Sequence, residues 1–326
     1  MASAAETSAK TAILPIGRET PRSLAVAAAV LVAFLIAAPY VLYPVFLMKA
    51  LCFALFACAF NLLLGYVGLL SFGHALYFGW ASYLAAYAAK SWGLPPELAI
   101  LTGTATAAGL GIIAGVVAIR RQGIYFAMIT LALAQMMYLV ALRVKFTGGE
   151  DGIQAVPRGR LFGLIDLSHE MNMYVFVLVV VLAALFLIYR IIDSPFGEVL
   201  RAIRENELRT ISLGYNTDRY KLAAFILSAT LAGLAGATKA LVFQLASLTD
   251  VHWTMSGEVV LMTLVGGLGT VFGPIIGAFL IVAMENYLAP FGQWVLVIQG
   301  AIFVVCVLVF RRGIVGELAH RLKVRL

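Results

Sequence analysis

From Ser23 onward the chain alternates between long, continuous apolar runs and short polar or glycine-containing intervals. The runs cover roughly 23–43, 47–64, 69–89, 97–119, 124–143 and 172–191, then 222–245, 257–270, 273–290 and 292–310. A membrane strand would alternate apolar and polar residues with a period of two, and these runs do not. About 20 residues of helix cross a bilayer, and a helix satisfies its backbone groups within one segment, as lipid requires. The pattern therefore predicts an all-α polytopic membrane protein of about ten (8–10) transmembrane or re-entrant helices. Glycines break the runs at 69–89 and 257–270, where re-entry and spanning are both open. The first run follows a basic flank, as a signal peptide would. The many spans behind it make it a retained first span.

Basic residues orient the bundle. With ten spans both termini share one side. Sixteen of the 23 Lys and Arg fall there, among them Arg120, Arg121, Arg190, Arg201, Arg204 and Arg209. Six fall opposite (Lys49, Lys90, Arg143, Lys145, Arg158 and Arg160), and Lys239 lies within a span, in its outer half, where it can snorkel. Both termini are expected in the cytoplasm. This divides the chain into a cytoplasmic tail at 1–22, a membrane domain at 23–316 and a second cytoplasmic tail at 317–326. An outer loop is expected at 144–171 and an inner segment at 192–221.

Composition agrees. The chain of 326 residues is 63% hydrophobic and 12% charged, where a soluble domain carries roughly 45–50% and about 25%. The net charge of +7 follows from the topology and calls for no nucleic-acid partner. Cys52, Cys58 and Cys306 sit in apolar runs as small hydrophobes. The four histidines show no metal-ligand spacing, and no phosphate-binding loop of the form Gly-x-x-x-x-Gly-Lys-[Ser/Thr] occurs.

The inner segment is the most informative stretch. Ser194 and Pro195 open a helix, and Gly214 suits a left-handed stop. Between them Val199, Leu200, Ile203, Leu208 and Ile211 recur near helical spacing, and Glu198, Arg201, Arg204, Glu205 and Arg209 fill the remaining surface. This predicts a short amphipathic helix or helix pair outside the membrane. Acidic residues interrupt the basic stripe that a lipid-bound helix concentrates, so docking onto protein is the favoured reading over resting on lipid.

The segment resembles the cytoplasmic coupling loop of permease subunits in bacterial ABC importers of branched-chain amino acids, of the M type. The stretch from Asn61 to Ala75, NLLLGYVGLLSFGHA, is similar to that family's early membrane motif, and Gly266–Ala278, GGLGTVFGPIIGA, to its late glycine-rich motif. Thr147-Gly148-Gly149 followed by Gly152-Ile153 is similar to its outer loop. The likeness runs from about 45 to 316. Leu69 stands where the family usually has Gln.

The resemblance implies a subunit without chemistry of its own in the bacterial inner membrane. It would pair with a homologous H-type permease and receive branched-chain amino acids or related small solutes from a periplasmic binding protein. Two ATPase subunits beneath would bind ATP and magnesium, so this chain would bind no cofactor. Pro195, Gly197, Ala202, Ile203, Arg204, Glu205, Asn206, Glu207 and Gly214 would couple to the ATPase. In that reading Arg204 and Glu205 pair with its charges and Ile203 fills its groove.

Glycine clusters at Gly68, Gly73 and Gly79 and at Gly266, Gly267, Gly269, Gly273 and Gly277 mark either a transport path or close helix packing. The isolated polar residues Asn61, His74 and Gln135 are candidates for lining the path or gating it, with structural bonding as the alternative. No Asp or Glu is expected at mid-depth. That disfavours the competing class, an ion-coupled secondary transporter of a small neutral or zwitterionic solute.

Overall fold

The computed structural model describes residues 21–322 except 41, 293 and 310–312. Residues 1–20 and 323–326 of the expected tails, and Arg311 and Arg312, lie outside the described residues. The helices are α1 (Pro21–Ala37), α2 (Pro44–Leu64), α3 (His74–Lys90), α4 (Pro96–Ala118), α5 (Ile124–Arg143), α6 (Glu170–Ile192), α7 (Pro195–Glu205), α8 (Glu207–Ser212), α9 (Thr217–Phe243), α10 (Trp253–Gly266), α11 (Gly273–Leu288), α12 (Trp294–Val309) and α13 (Gly313–Leu322). Proline in the first turn starts α2, α4, α7 and α11, where its missing N–H costs no hydrogen bond.

Each of the ten apolar runs forms a helix. Five helices, α2, α4, α5, α6 and α9, are long and apolar enough to cross a bilayer. At 1.5 Å per residue, α3, α10 and α11 reach only about 21–26 Å, short of the ~30 Å hydrocarbon layer. These three flank two glycine-rich breaks, at 65–73 and 267–272. The chain is thus a multi-pass helical membrane protein whose two weakest helical signals coincide with real interruptions.

Helices α2, α3, α4 and α9 form the centre. Small residues bring their backbones together. A Cβ at Gly236 would lie 2.0 Å from the Phe78 carbonyl oxygen, one at Gly103 2.5 Å from that of Ala81, and one at Gly233 2.1 Å from the Ala107 methyl. Helix α2 is antiparallel to α11. Lys49 near its start bonds Glu285 near the end of α11 at 3.0 Å, whereas Asn61 near its end meets Thr270 just before α11 begins.

The loop expected at 144–171 departs from all-helical structure. Strands β1 (Ile153–Gln154), β2 (Arg160–Leu161) and β3 (Ile165–Asp166) lie in it, and β4 (Leu245–Ala246) follows α9. β1 pairs antiparallel with β4, and β2 with β3 as a hairpin. Positive φ at Gly148, Gly149, Gly152, Gly159 and Gly163 turns the chain too often for helix.

A second departure concerns Lys239, which was expected to snorkel. Helix α9 ends at Gln244 with φ 55°, and the chain folds back so that Asp250 and Val251 pack against Gly79 of α3. Gly79 lies eleven residues, about 16 Å of helix, from the α3 end at Lys90. Lys239, 8% exposed, bonds Asp250, which is 2% exposed. An acidic residue therefore does lie inside the bundle. The sequence hid it, because Asp250 sits in a polar interval that only tertiary structure carries inward.

Candidate functional site

The amphipathic segment is a helix pair. The Ser194 hydroxyl accepts from the Gly197 N–H, capping α7 as expected. Asn206 ends α7 in extended backbone and caps α8 by accepting from the Arg209 N–H at 3.0 Å. Gly214, at φ 92°, reverses the chain after α8. Gly197 is buried, and a Cβ there would come 2.2 Å from the Ile192 carbonyl oxygen, so only glycine lets α7 press onto the end of α6.

Glu207 fastens α8 to the bundle. One carboxylate oxygen lies 2.5 Å from the ammonium of Lys221, a residue only 1% exposed, and accepts from the Thr217 hydroxyl at 3.0 Å. The other accepts from Gln122, between α4 and α5, at 2.8 Å. Glu207 is thus engaged within this subunit.

The neighbouring residues of α7 differ in what they meet. Ile203 is 5% exposed and buried against its own subunit, so it is not free to fill a partner's groove. Arg204 is exposed on α7, and its guanidinium donates to the Gly65 carbonyl at the end of α2. Helix periodicity marked these residues as two faces of α7 but not what each face meets. Pro195 and Glu205 are exposed, and Ala202 is half-buried.

The two glycine breaks meet at this same end of the bundle. Buried Asn61 spans them: its Nδ2 donates to the Thr270 carbonyl at 2.9 Å and its Oδ1 accepts from the Gly269 N–H at 3.0 Å. Gly68 has φ 83°, and a Cβ there would lie 3.2 Å from Arg204 Cγ. At Gly269, φ 74°, it would lie 3.1 Å from Arg204 Nη1. Arg201, one turn earlier on α7, lies over the Tyr66 ring at 5.5 Å. Neither Tyr66 nor Arg201 was singled out in the sequence. An Arg three residues before another on an amphipathic helix was the available signal.

The remaining candidates separate. Gly73 caps α3, with its N–H donating to the Ser71 hydroxyl at 3.2 Å, and a Cβ there would lie 2.9 Å from the Thr130 carbonyl oxygen. Gly266 and Gly273 serve close packing, since a Cβ on Gly266 would sit 1.9 Å from the Gly273 carbonyl oxygen. Gly267 is at φ 127° beside Gly313 of α13. His74 is fully buried among Phe60, Tyr77 and Phe225. Its Nε2 lies 2.8 Å from the Ser228 hydroxyl, which donates in turn to the Ala59 carbonyl at 2.5 Å. The hydroxyl proton being spent, His74 Nε2–H is the donor, and the chain links α3, α9 and α2. Gln135 is half-buried on α5.

Opposite the arginines, α7 and α8 frame an open groove of about 470 Å³ whose lining includes Phe196, Val199, Ala202, Leu213, Tyr215 and Tyr220. Phe196 stacks on Tyr220 at 5.6 Å, and Tyr215 meets it edge-on at 6.0 Å. Leu213, which also lines the groove, is 69% exposed, and Leu208 on α8 is 80% exposed. Among the described residues no cluster of His, Cys, Asp or Glu could hold a metal ion.

Comparison with known proteins places these features. Residues 43–307 match the family described as "Branched-chain amino acid transport system / permease component". The chain is 27% identical to the high-affinity branched-chain amino acid transport system permease protein LivM of Escherichia coli, over 81% of this chain and 68% of that protein. It is also 28% identical to a probable branched-chain amino acid transport permease protein LivH of Methanocaldococcus jannaschii, over 50% of this chain and 53% of that one. No solved structure matches the chain.

Proposed function

This chain belongs to the family of permease components of branched-chain amino acid transport systems, of the LivM type, and from that premise we propose that it is a translocation subunit of an ATP-driven importer. It pairs with a homologous LivH-type permease in the bacterial inner membrane. A periplasmic binding protein delivers branched-chain amino acids, or related small amino acids or amides. Two ATPase subunits bind ATP and magnesium and dock at the α7–α8 end, which faces the cytoplasm together with both termini.

The groove between α7 and α8 carries this reading. Apolar residues as exposed as Leu208 and Leu213, set in a charged segment, mark a protein-binding surface. The sequence contains no phosphate-binding loop, so ATP hydrolysis requires a partner. The second reading, an ion-coupled carrier, draws its support from Asp250 inside the bundle. Both oxygens of that carboxylate are held by Lys239, which leaves it poorly disposed to take a coupling ion. Leucine uptake in cells lacking the partner ATPases decides between them. Loss of uptake supports the importer, and unimpaired uptake overturns it in favour of the carrier.

A further inference from the structure

We propose that Arg204, seconded by Arg201, is the positioning residue through which displacement of α7 reaches both glycine breaks. The proposal rests on the importer reading and goes beyond docking, because it assigns the next mechanical step to an arginine whose guanidinium bonds the end of this chain's own α2.

The first support is the chemistry at the end of α2. The last carbonyls of a helix lack intrahelical partners and form the negative end of its dipole. Gly65 lies there, just past Leu64, and its carbonyl accepts from the Arg204 guanidinium. The second is geometry. Glycine at 68 and 269, both at positive φ, lets the Arg204 side chain lie directly against each break. Arg201 adds a cation–π contact to Tyr66, between Gly65 and Gly68. Asn61 then joins the first break to the second through Gly269 and Thr270.

The third support is the layout of α7. At 100° per residue, Arg201 and Arg204 lie across the helix from Val199 and Ala202, which line the groove. Gly197 holds the start of α7 against α6. A partner seated in the groove therefore presses one face of a helix whose opposite face grips both breaks. Rigid displacement of a packed helix is an established way of moving a site.

The experiment uses the complete transporter in proteoliposomes, with its second permease, ATPases and binding protein. It reads leucine taken up per ATP hydrolysed. Arg204→Gln is expected to assemble with its partners and hydrolyse ATP, while uptake per ATP falls about tenfold, the size of a typical coupling between sites. Arg204→Lys, which keeps charge and reach but loses the planar fork, is expected to fall between the two. A wild-type ratio in Arg204→Gln overturns the proposal. So does a loss of hydrolysis in proportion to uptake, which would make Arg204 a docking residue. If Arg204→Gln does not assemble, Arg201→Gln is read by the same ratio, and a wild-type value there overturns the shared grip. Failure of the importer reading shows separately, as wild-type uptake that needs no ATP.

Discussion

Lys239 and Asp250 meet inside the helix bundle, the ammonium lying 2.8 and 2.6 Å from the two carboxylate oxygens. The Lys239 ammonium also sits 5.7 Å from the Phe243 ring. Removing one member leaves the other charge buried alone, at a cost of about 3–5 kcal/mol. Lys239→Met and Asp250→Asn should each lower the thermal unfolding midpoint in detergent. The double substitution should recover part of the loss. Additive losses would show that the two charges do not depend on each other.

Close packing of α10 on α11 makes an opposite pair of predictions. A Cβ at Gly277 would fall 1.9 Å from the Met262 carbonyl oxygen, whereas one at Gly257 meets nothing within 4 Å. Gly277→Ala should destabilise by about 1–3 kcal/mol through overpacking. Gly257→Ala should be neutral or stabilise by up to about 1 kcal/mol through helix propensity. Unfolding midpoints of the two variants check both.

Glu207 is the tie between α8 and α9. Glu207→Gln removes the charge opposite buried Lys221 and leaves that ammonium only Asp218, at 3.6 Å. Local opening of the segment should become easier by about 1–3 kcal/mol. Limited proteolysis between residues 205 and 216 should then run faster than in the wild type, with the transmembrane helices intact.

The groove predicts a charge-sensitive docking surface. Leu213→Asp places a carboxylate among Phe196, Tyr215 and Tyr220 and should weaken co-purification of the ATPase by about 2 kcal/mol or more, as at an interface hot spot. Leu164→Asp, on the hairpin turn where Leu164 is 87% exposed, should leave co-purification unchanged.

The β2–β3 hairpin predicts an acid response. Hydrogen bonds from the Ser168 backbone and hydroxyl, then the charges of Arg160 and His169, hold the Asp166 carboxyl below its ordinary range. A depressed folded-state value contributes stability above the unfolded value, lost as pH falls through the folded one. The Asp166 resonance should titrate below the usual carboxylate range. The hairpin should loosen only there, as read by the anisotropy of a dye on Leu164→Cys. Asp166→Asn should abolish that acid step.

The helices were legible because each run is long, apolar and unbroken, and lipid leaves such a run little alternative. The caps at Ser194, Pro195 and Gly214 were legible because capping chemistry is local. The glycine breaks were visible as interruptions, though periodicity did not distinguish packing at Gly266 from contact with Arg204 at Gly68. What escaped depends on contacts distant in sequence. The bond from Arg204 to Gly65 is invisible until α2 is placed beside α7. Lys239 reads as a snorkelling lysine until the segment after Gln244 turns inward. Ile203 reads as partner-facing until its burial is seen, and Glu207 until the start of α9 brings Thr217 and Lys221 to it.

The glycine contacts at the centre, Gly236 on the Phe78 carbonyl, Gly103 on that of Ala81 and Gly233 on the Ala107 methyl, bring each pair of the middle helices into direct contact. A bundle closed in this way has no bore between α3, α4 and α9 wide enough for an amino acid. In the proposed importer the solute therefore travels along an outer wall of this subunit, and the homologous permease supplies the facing wall. On that reading each chain would carry half a channel, and neither would make a hole alone.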